Sequence, residues 1–180
     1  MSFCETDRLY FRAHEPQDEA PFVAMHTDPE IRRFVGGSAW PVEKAVHRFH
    51  TEYLGQPTHI FGLWATIFKS ENKFIGSCGL RAPDGSHPSS LAFYLARPYW
   101  GRGLASEAAR CFVDLAFHRL GLDRIAAEVQ EGHRASEQIL WKLGFRLASR
   151  ETLPASGRVI CGYELRNSRP QRVLGSGVTA

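Results

Sequence analysis

Residues 90–121 constrain the fold more than any other part of this chain. An apolar run, Ser90–Ala96, leads through Pro98-Tyr99-Trp100 to two glycines one residue apart, Gly101 and Gly103, and then to a long helical pattern. Leu104, Ala108, Cys111, Phe112, Leu115 and Ala116 recur at the spacing of one helix face, and Gly121 supplies the stop. A strand, a bare loop and a helix in succession leave unpaired N–H groups and a partial positive charge at the first helical turn. An anion fits there without any basic side chain, and glycine lets the backbone approach it closely. A tight strand-to-helix turn that binds nothing is the other reading of the same residues.

The flanking sequence supplies the rest of a mixed architecture. Alternation at Arg8–Arg12 predicts a strand, and Pro16–Asp18 opens a helix through about His26. Thr27-Asp28-Pro29-Glu30 reads as a break and a short helix, and Pro41 as the first residue of a helix to about Leu54. Strands follow at Phe61–Lys69 and Lys73–Leu80, joined by a turn at Ser70-Glu71-Asn72, with a loop at Arg81–Pro88 before the run at Ser90. Beyond the long helix come a strand at Arg124–Val129, a helix at Ala135–Leu143 stopped by Gly144, and strands at Phe145–Thr152 and Val159–Leu165. Helices before and after a mostly antiparallel middle predict an α/β sandwich of the α+β kind, with about seven strands and about four helices.

Length and charge narrow the function classes. One domain is expected for 180 residues, with residues 1–165 as the folded unit and 166–180 as a flexible basic tail. The tail holds Arg166, Arg169 and Arg172 and no acid, so the remaining 19 Lys and Arg balance the 19 Asp and Glu. A formally neutral body argues against a nucleic-acid partner. No segment is apolar enough for a membrane span, and MSFCETDRLYFR has no signal-peptide core. Cys4, Cys78, Cys111 and Cys161 form no C-x-x-C pair, so reduced thiols and a cytoplasmic location are expected. His47 and His50 lack a third ligand, so no metal is expected. Trp40, Phe49 and Tyr53 read as core or substrate-groove packing.

The glycine loop lacks the Lys-Ser or Lys-Thr of a nucleoside triphosphate site. Gly101-Arg102-Gly103-Leu104-Ala105-Ser106, with Asp123 about 20 residues on, approximates a dinucleotide fingerprint. Too few βα units follow to build that sheet, and a nicotinamide-dependent enzyme stays as an alternative. Two further stretches bear on the choice. One is Thr6-Asp7-Arg8-Leu9-Tyr10-Phe11-Arg12 with Asp28-Pro29-Glu30, and the other is His133-Arg134-Ala135-Ser136 through Lys142-Leu143-Gly144-Phe145. Together with PYWGRGLASEA, these resemble the GNAT superfamily of N-acetyltransferases, in particular the RimJ/RimL-type branch that acetylates ribosomal-protein N-termini. The likeness spans about residues 6–165.

The resemblance implies the GNAT acyl-CoA N-acyltransferase fold and an acetyl-CoA-dependent transfer to a primary amine, either a protein N-terminus or a small molecule. It implies a ternary complex, no metal, and a monomer or homodimer. It assigns acetyl-CoA to Trp100, Gly101, Arg102, Gly103, Leu104, Ala105 and Ser106, with Trp100 standing where the superfamily has Gln or Arg. Main-chain groups of Phe93 and Leu95 are expected to hold the pantetheine arm and the oxyanion. Ser136 matches the branch serine and is the candidate acid at the sulfur; His133 replaces the branch asparagine. Both are expected at the cofactor as well as in catalysis. Leu140 stands where many members carry an acidic tyrosine, and Ser90 where the branch often has a glutamate. Glu128, His87 or a water chain to an already neutral amine remain for the base, and Glu107 is expected to serve the helix dipole only. An acyl-CoA-binding module without turnover is the other alternative.

Overall fold

The computed structural model describes residues 2–56, 59–85 and 87–168. Eight strands form one sheet: β1 (Cys4–Glu5), β2 (Leu9–Arg12), β3 (Gly62–Phe68), β4 (Lys73–Arg81), β5 (Ser90–Leu95), β6 (Arg124–Gln130), β7 (Arg146–Thr152) and β8 (Val159–Arg166). Their spatial order is β1-β2-β3-β4-β5-β6-β8-β7, antiparallel everywhere except between β5 and β6. Five α-helices, α1 (Glu19–Thr27), α2 (Pro29–Arg32), α3 (Val42–Arg48), α4 (Leu104–Asp114) and α5 (Arg134–Lys142), cover the two faces.

Periodicity explains which residues meet. The apolar stripe of α4 buries Leu104, Ala108, Phe112 and Val113 in a core shared with Leu9, Phe11, Cys78, Leu80, Leu91 and Leu95, and α5 adds Leu140. On the opposite face α1 and the turn that follows α3 bring Phe22 and Phe49, both fully buried, to 5.2 Å between ring centroids. Asp28 ends α1 and caps α2, accepting the N–H of Glu30 at 2.8 Å, while Pro29 takes the first helical position.

Four details differ from the sequence expectation. The sheet gains an eighth strand, because Cys4–Glu5 pairs antiparallel with Tyr10–Phe11. Pro41 stands one residue outside α3, extended at ψ 149, rather than within it. The helices expected to reach Leu54 and Leu120 end in π-helical turns, Phe49–Tyr53 and Leu115–Arg119. β8 runs through Arg166, which pairs with Glu164 at 2.8 Å. Arg169 and Arg172 lie outside the described residues.

The four thiols are free, with Cys111 Sγ 3.6 Å from Cys4 Sγ. Among the described residues no helix is long and apolar enough to cross a membrane, and no three His, Cys, Asp or Glu gather as metal ligands.

Candidate active site

The two glycines of the loop adopt the left-handed conformation, Gly101 at φ 71 and Gly103 at φ 76. A Cβ would meet nothing at Gly101 and only Arg8 Nη2, at 3.5 Å, at Gly103. Backbone conformation, not crowding, therefore requires glycine here. Gly103 caps α4, and its carbonyl accepts the N–H of Glu107 at 3.1 Å. Leu104 anchors the turn in the core, while Ala105 and Ser106 are half-buried. Arg102 turns its guanidinium over the rings of Phe68 (4.7 Å) and Tyr99 (5.5 Å). Trp100 is half exposed, and its indole Nε1 donates to the Leu95 carbonyl at 2.7 Å.

Strand β5 leads into this loop and loses its neighbour on the way. β5 and β6 share one register pair, Ser90–Ala126, secured by the Ala126 N–H donating to the Ser89 carbonyl at 2.9 Å. The Ala96 N–H donates to Ile75 of β4, so by alternation the main-chain groups of Phe93 and Leu95 face the gap toward β6. The Leu95 carbonyl is occupied by Trp100; the Leu95 N–H and the Phe93 groups have no strand beside them.

The far wall of the gap is the β6–α5 junction. Because β5 and β6 are parallel, their C-terminal ends, and hence the glycine loop and the start of α5, lie at the same end of the sheet. His133 precedes the first turn of α5, and its ring stacks on Phe34 at 4.3 Å with the planes 3° apart. Burial pushes its pKa below the usual imidazole value, against an opposing pull from Glu137, so the ring is neutral near neutral pH. Ser136 lies in the first turn of α5, buried, with its hydroxyl unclaimed by any described residue. Leu140 is fully buried in the core, which fixes it as packing.

Strand register also defines the opposite face of the gap. Ser77 and Tyr94 are cross-strand partners, as are Cys78 and Phe93; the latter pair joins the α4 core, so Tyr94 points to the α1–α3 side. Parallel pairing of Ser90 with Ala126 then places Ala126, Glu128 and Gln130 on that same side as Tyr94. The Tyr94 hydroxyl donates to Tyr53 at 3.2 Å; burial, with Tyr53 alongside, pushes its pKa well above the phenol range, so it remains a proton donor. His26 meets the Tyr94 ring at 5.3 Å and stacks on Trp40 at 4.5 Å. Glu128 is exposed on this face, opposite Gly162 of β8. His87, exposed and bonded to Asp84, and Ser90 occupy the other end of β5, about 17 Å along the strand from Leu95.

The structure thus gathers Phe93, Leu95, Trp100 to Ser106, His133 and Ser136 at one end of the sheet, and leaves His87 and Ser90 away from it. Sequence reasoning passed over three residues that lie near this gap. Tyr94 was hidden in an apolar run, although alternation puts it on the face opposite Phe93. Arg97 pairs with Asp28 at 2.8 Å, tying α2 to the end of β5. Arg32 lies beside Trp40, its guanidinium 4.3 Å from the ring.

Comparison with known proteins adds four findings. A family model described as an acetyltransferase (GNAT) domain matches residues 8–146. An uncharacterised N-acetyltransferase, p20, of Bacillus licheniformis is 28% identical over 173 residues, covering 91% of this chain and 94% of the relative. Among solved structures, a GNAT-family acetyltransferase from Bacillus anthracis superposes with a TM-score of 0.78 at 20% identity, covering 90% of this chain and 96% of that one. The ribosomal-protein-S5-alanine acetyltransferase of Vibrio fischeri superposes with a TM-score of 0.67 at 17% identity, covering 95% and 99%.

Proposed function

Because this chain belongs to the GNAT acetyltransferase family, with its mixed α/β fold and acetyltransferase activity, we propose that its donor is acetyl-CoA and its acceptor a primary amine. The observation that carries this reading is the parting of β5 from β6 immediately before a loop with two left-handed glycines. A long, thin donor with an anionic end matches that geometry: a slot lined by free main-chain groups, closed by a helix N-terminus.

In this reading Gly101 to Ser106 take the pyrophosphate through main-chain N–H groups, and Phe93 and Leu95 hold the pantetheine arm in the gap. The acceptor approaches from the face that carries Tyr94 and Glu128. The neutral amine attacks the thioester carbonyl carbon, forming a C–N bond and an oxyanion that a β5 N–H stabilises. The C–S bond then breaks, and the departing thiolate, held by a hydrogen bond from the Ser136 hydroxyl, is protonated through that hydroxyl, which regains its proton from solvent water in the same relay. The amine's surplus proton passes through water to Glu128. His133, neutral and stacked on Phe34, positions the start of α5 beside the sulfur. The acceptor class follows the RimJ/RimL-type resemblance, with a protein N-terminal amine first and a small-molecule amine second. The catalytic unit is residues 1–165.

The test is thiol release from acetyl-CoA against a panel of amines and N-terminal peptides, with the acetylated product identified by mass. Stabilisation by acetyl-CoA and release with at least one amine are expected. Binding of acetyl-CoA without release from any amine, or stabilisation by NAD(P) instead, would overturn the reading.

A further inference from the structure

Two buried residues beside Tyr94 lack the partners that their counterparts elsewhere in the fold possess. Arg12 is 9% exposed, and its guanidinium forks onto Asp18, with Nη1–Oδ2 at 2.6 Å and Nη2–Oδ1 at 2.9 Å. Arg32 is 6% exposed, yet among the described residues its one side-chain hydrogen bond runs from Nε to the Ser38 carbonyl at 3.3 Å, and no carboxylate there pairs with it. His14 satisfies both ring nitrogens, on the Gln56 carbonyl and Ser77 Oγ, each at 3.0 Å. His26, 2% exposed, satisfies neither. A buried guanidinium without a counter-charge is costly, and proteins pair such groups or leave them for a ligand.

More positive charge surrounds Arg32. The guanidinium of Arg48 lies 4.9 Å from the Trp40 ring and Lys44 Nζ 5.5 Å from it; of the two, only Arg48 has an acidic partner among the described residues, Glu52. Arg158, in the loop that joins β7 to β8, donates to the Gln130 side chain at 3.3 Å and has no acidic partner among the described residues either. Gly36 and Gly37, at φ 82 and 89, form the turn between them. A Cβ on Gly36 would collide with Arg32 Nη2, and one on Gly37 with Arg158 Nη1, so both guanidiniums rest against the same bare turn. Burial lowers the Arg32 pKa; Tyr94 and Tyr53 oppose the shift, and Arg48 and Arg158 add to it. The turn belongs to the loop whose Phe34 stacks on His133, and His26 links Trp40 to Tyr94. The cationic cluster therefore adjoins the acceptor face.

Resting on the acetyl-transfer reading above, we infer that the acceptor amine carries an anionic group, a carboxylate or a phosphate, bound by Arg32 and Arg158 across the Gly36–Gly37 turn. Trp40 and His26 form the wall of this subsite, with His26 as a further hydrogen-bonding group for the ligand. Arg48, paired with Glu52, contributes field rather than contact.

Matched acceptors test this: β-alanine against its amide, and 2-aminoethyl phosphate against ethanolamine, each compared by kcat/KM. The anionic member of at least one pair is expected to be preferred at least tenfold, and the pair that shows it identifies the anion. Arg158→Gln, half-buried and tolerant of change, should reduce that preference at least tenfold through KM; Arg32→Gln should do so more strongly if it folds. Equal use of charged and neutral members overturns the inference. Inorganic phosphate and acetate, each added without acetyl-CoA, decide the question independently of turnover. One of them should raise the melting temperature of the wild type by about 3 °C at ten times its dissociation constant, and that rise should vanish in Arg158→Gln. No rise in the wild type, or an equal rise in the variant, overturns the anion site. Absence of acetyl-CoA binding with the anion effect intact would instead sink the acetyl-transfer reading alone.

Discussion

Arg8 and Glu107 meet across the fold, Arg8 Nε 2.7 Å from Glu107 Oε2, while the Arg8 N–H and Thr6 Oγ1 donate to Glu107 Oε1 at 2.9 and 2.5 Å. Arg8 Nη1 also donates to the Arg102 carbonyl at 2.9 Å, so the start of β2 holds both the glycine loop and the first turn of α4. Burial would raise the Glu107 pKa, but the bonds from Thr6 and Arg8 outweigh it and the net shift is downward. This contribution is therefore complete above the ordinary carboxylate value of 4.5 and is lost as pH falls through the lower folded value. Glu107→Gln should cost about 1–2 kcal/mol, or about 2–8 °C in melting temperature, and raise KM for acetyl-CoA more than it changes kcat. An unchanged melting curve and KM would refute this.

Gly103→Ala places a side chain in no more than ordinary contact with Arg8 but in a left-handed conformation, at a cost of about 1–2 kcal/mol. Asn, which tolerates that conformation, should be milder than Ala, and Val worse than both. The order Asn, Ala, Val should hold for both thermal stability and acetyl-CoA affinity; equal losses from all three would show that space, not conformation, governs the site.

Proton transfer separates from donor binding in the proposed chemistry. Ser136→Ala should reduce kcat at least tenfold with little change in KM for acetyl-CoA. Glu128→Gln should reduce kcat as well. Titration of acetyl-CoA binding by calorimetry alongside the kinetics checks both, and a weakened binding constant with normal kcat would reassign Ser136 to the donor site.

His26 provides a pH signature of the folded state. Burial, reinforced by Arg32 and Arg48, holds its pKa at about 3 against an ordinary 6.5. The unfolded chain takes up this proton below pH 6.5 and the folded chain does not, so stability falls with decreasing pH from 6.5 toward 3. His26→Phe keeps the stack on Trp40 and removes the titrating group. Between pH 7.5 and 5.5 the wild type should lose about 1.4 kcal/mol more than this variant, read from urea midpoints at each pH. Parallel pH dependences would exclude His26 as the source.

The elements that carry strong periodicity, α4 and strands β3 to β6, were legible in the sequence because one face of each is buried and alternation or the helical period exposes it. β1 was not, since two residues cannot display an alternation. The π turns at Phe49 and Leu115 were also invisible, because they arise from a local choice of hydrogen-bond partner that composition does not encode. At the site, the glycine loop announced itself through backbone chemistry, and Ser136 and His133 through a resemblance. Arg32, Arg158, His26 and Tyr94 come from four separate segments, and only the folded chain shows that, among the described residues, His26 has no hydrogen-bond partner and the two arginines no acidic one.

The single rung between Ser90 and Ala126 has a mechanical corollary. It divides one continuous sheet into a five-stranded leaf and a three-stranded leaf that share a clasp at one end and stand apart at the other. Amide exchange in the two leaves should accordingly proceed as two blocks, with Phe93 and Leu95 the least protected main-chain groups of the central strands. A donor lying in the slot would act as the missing rungs, stitching the leaves together, so that cosubstrate and tertiary structure stiffen each other.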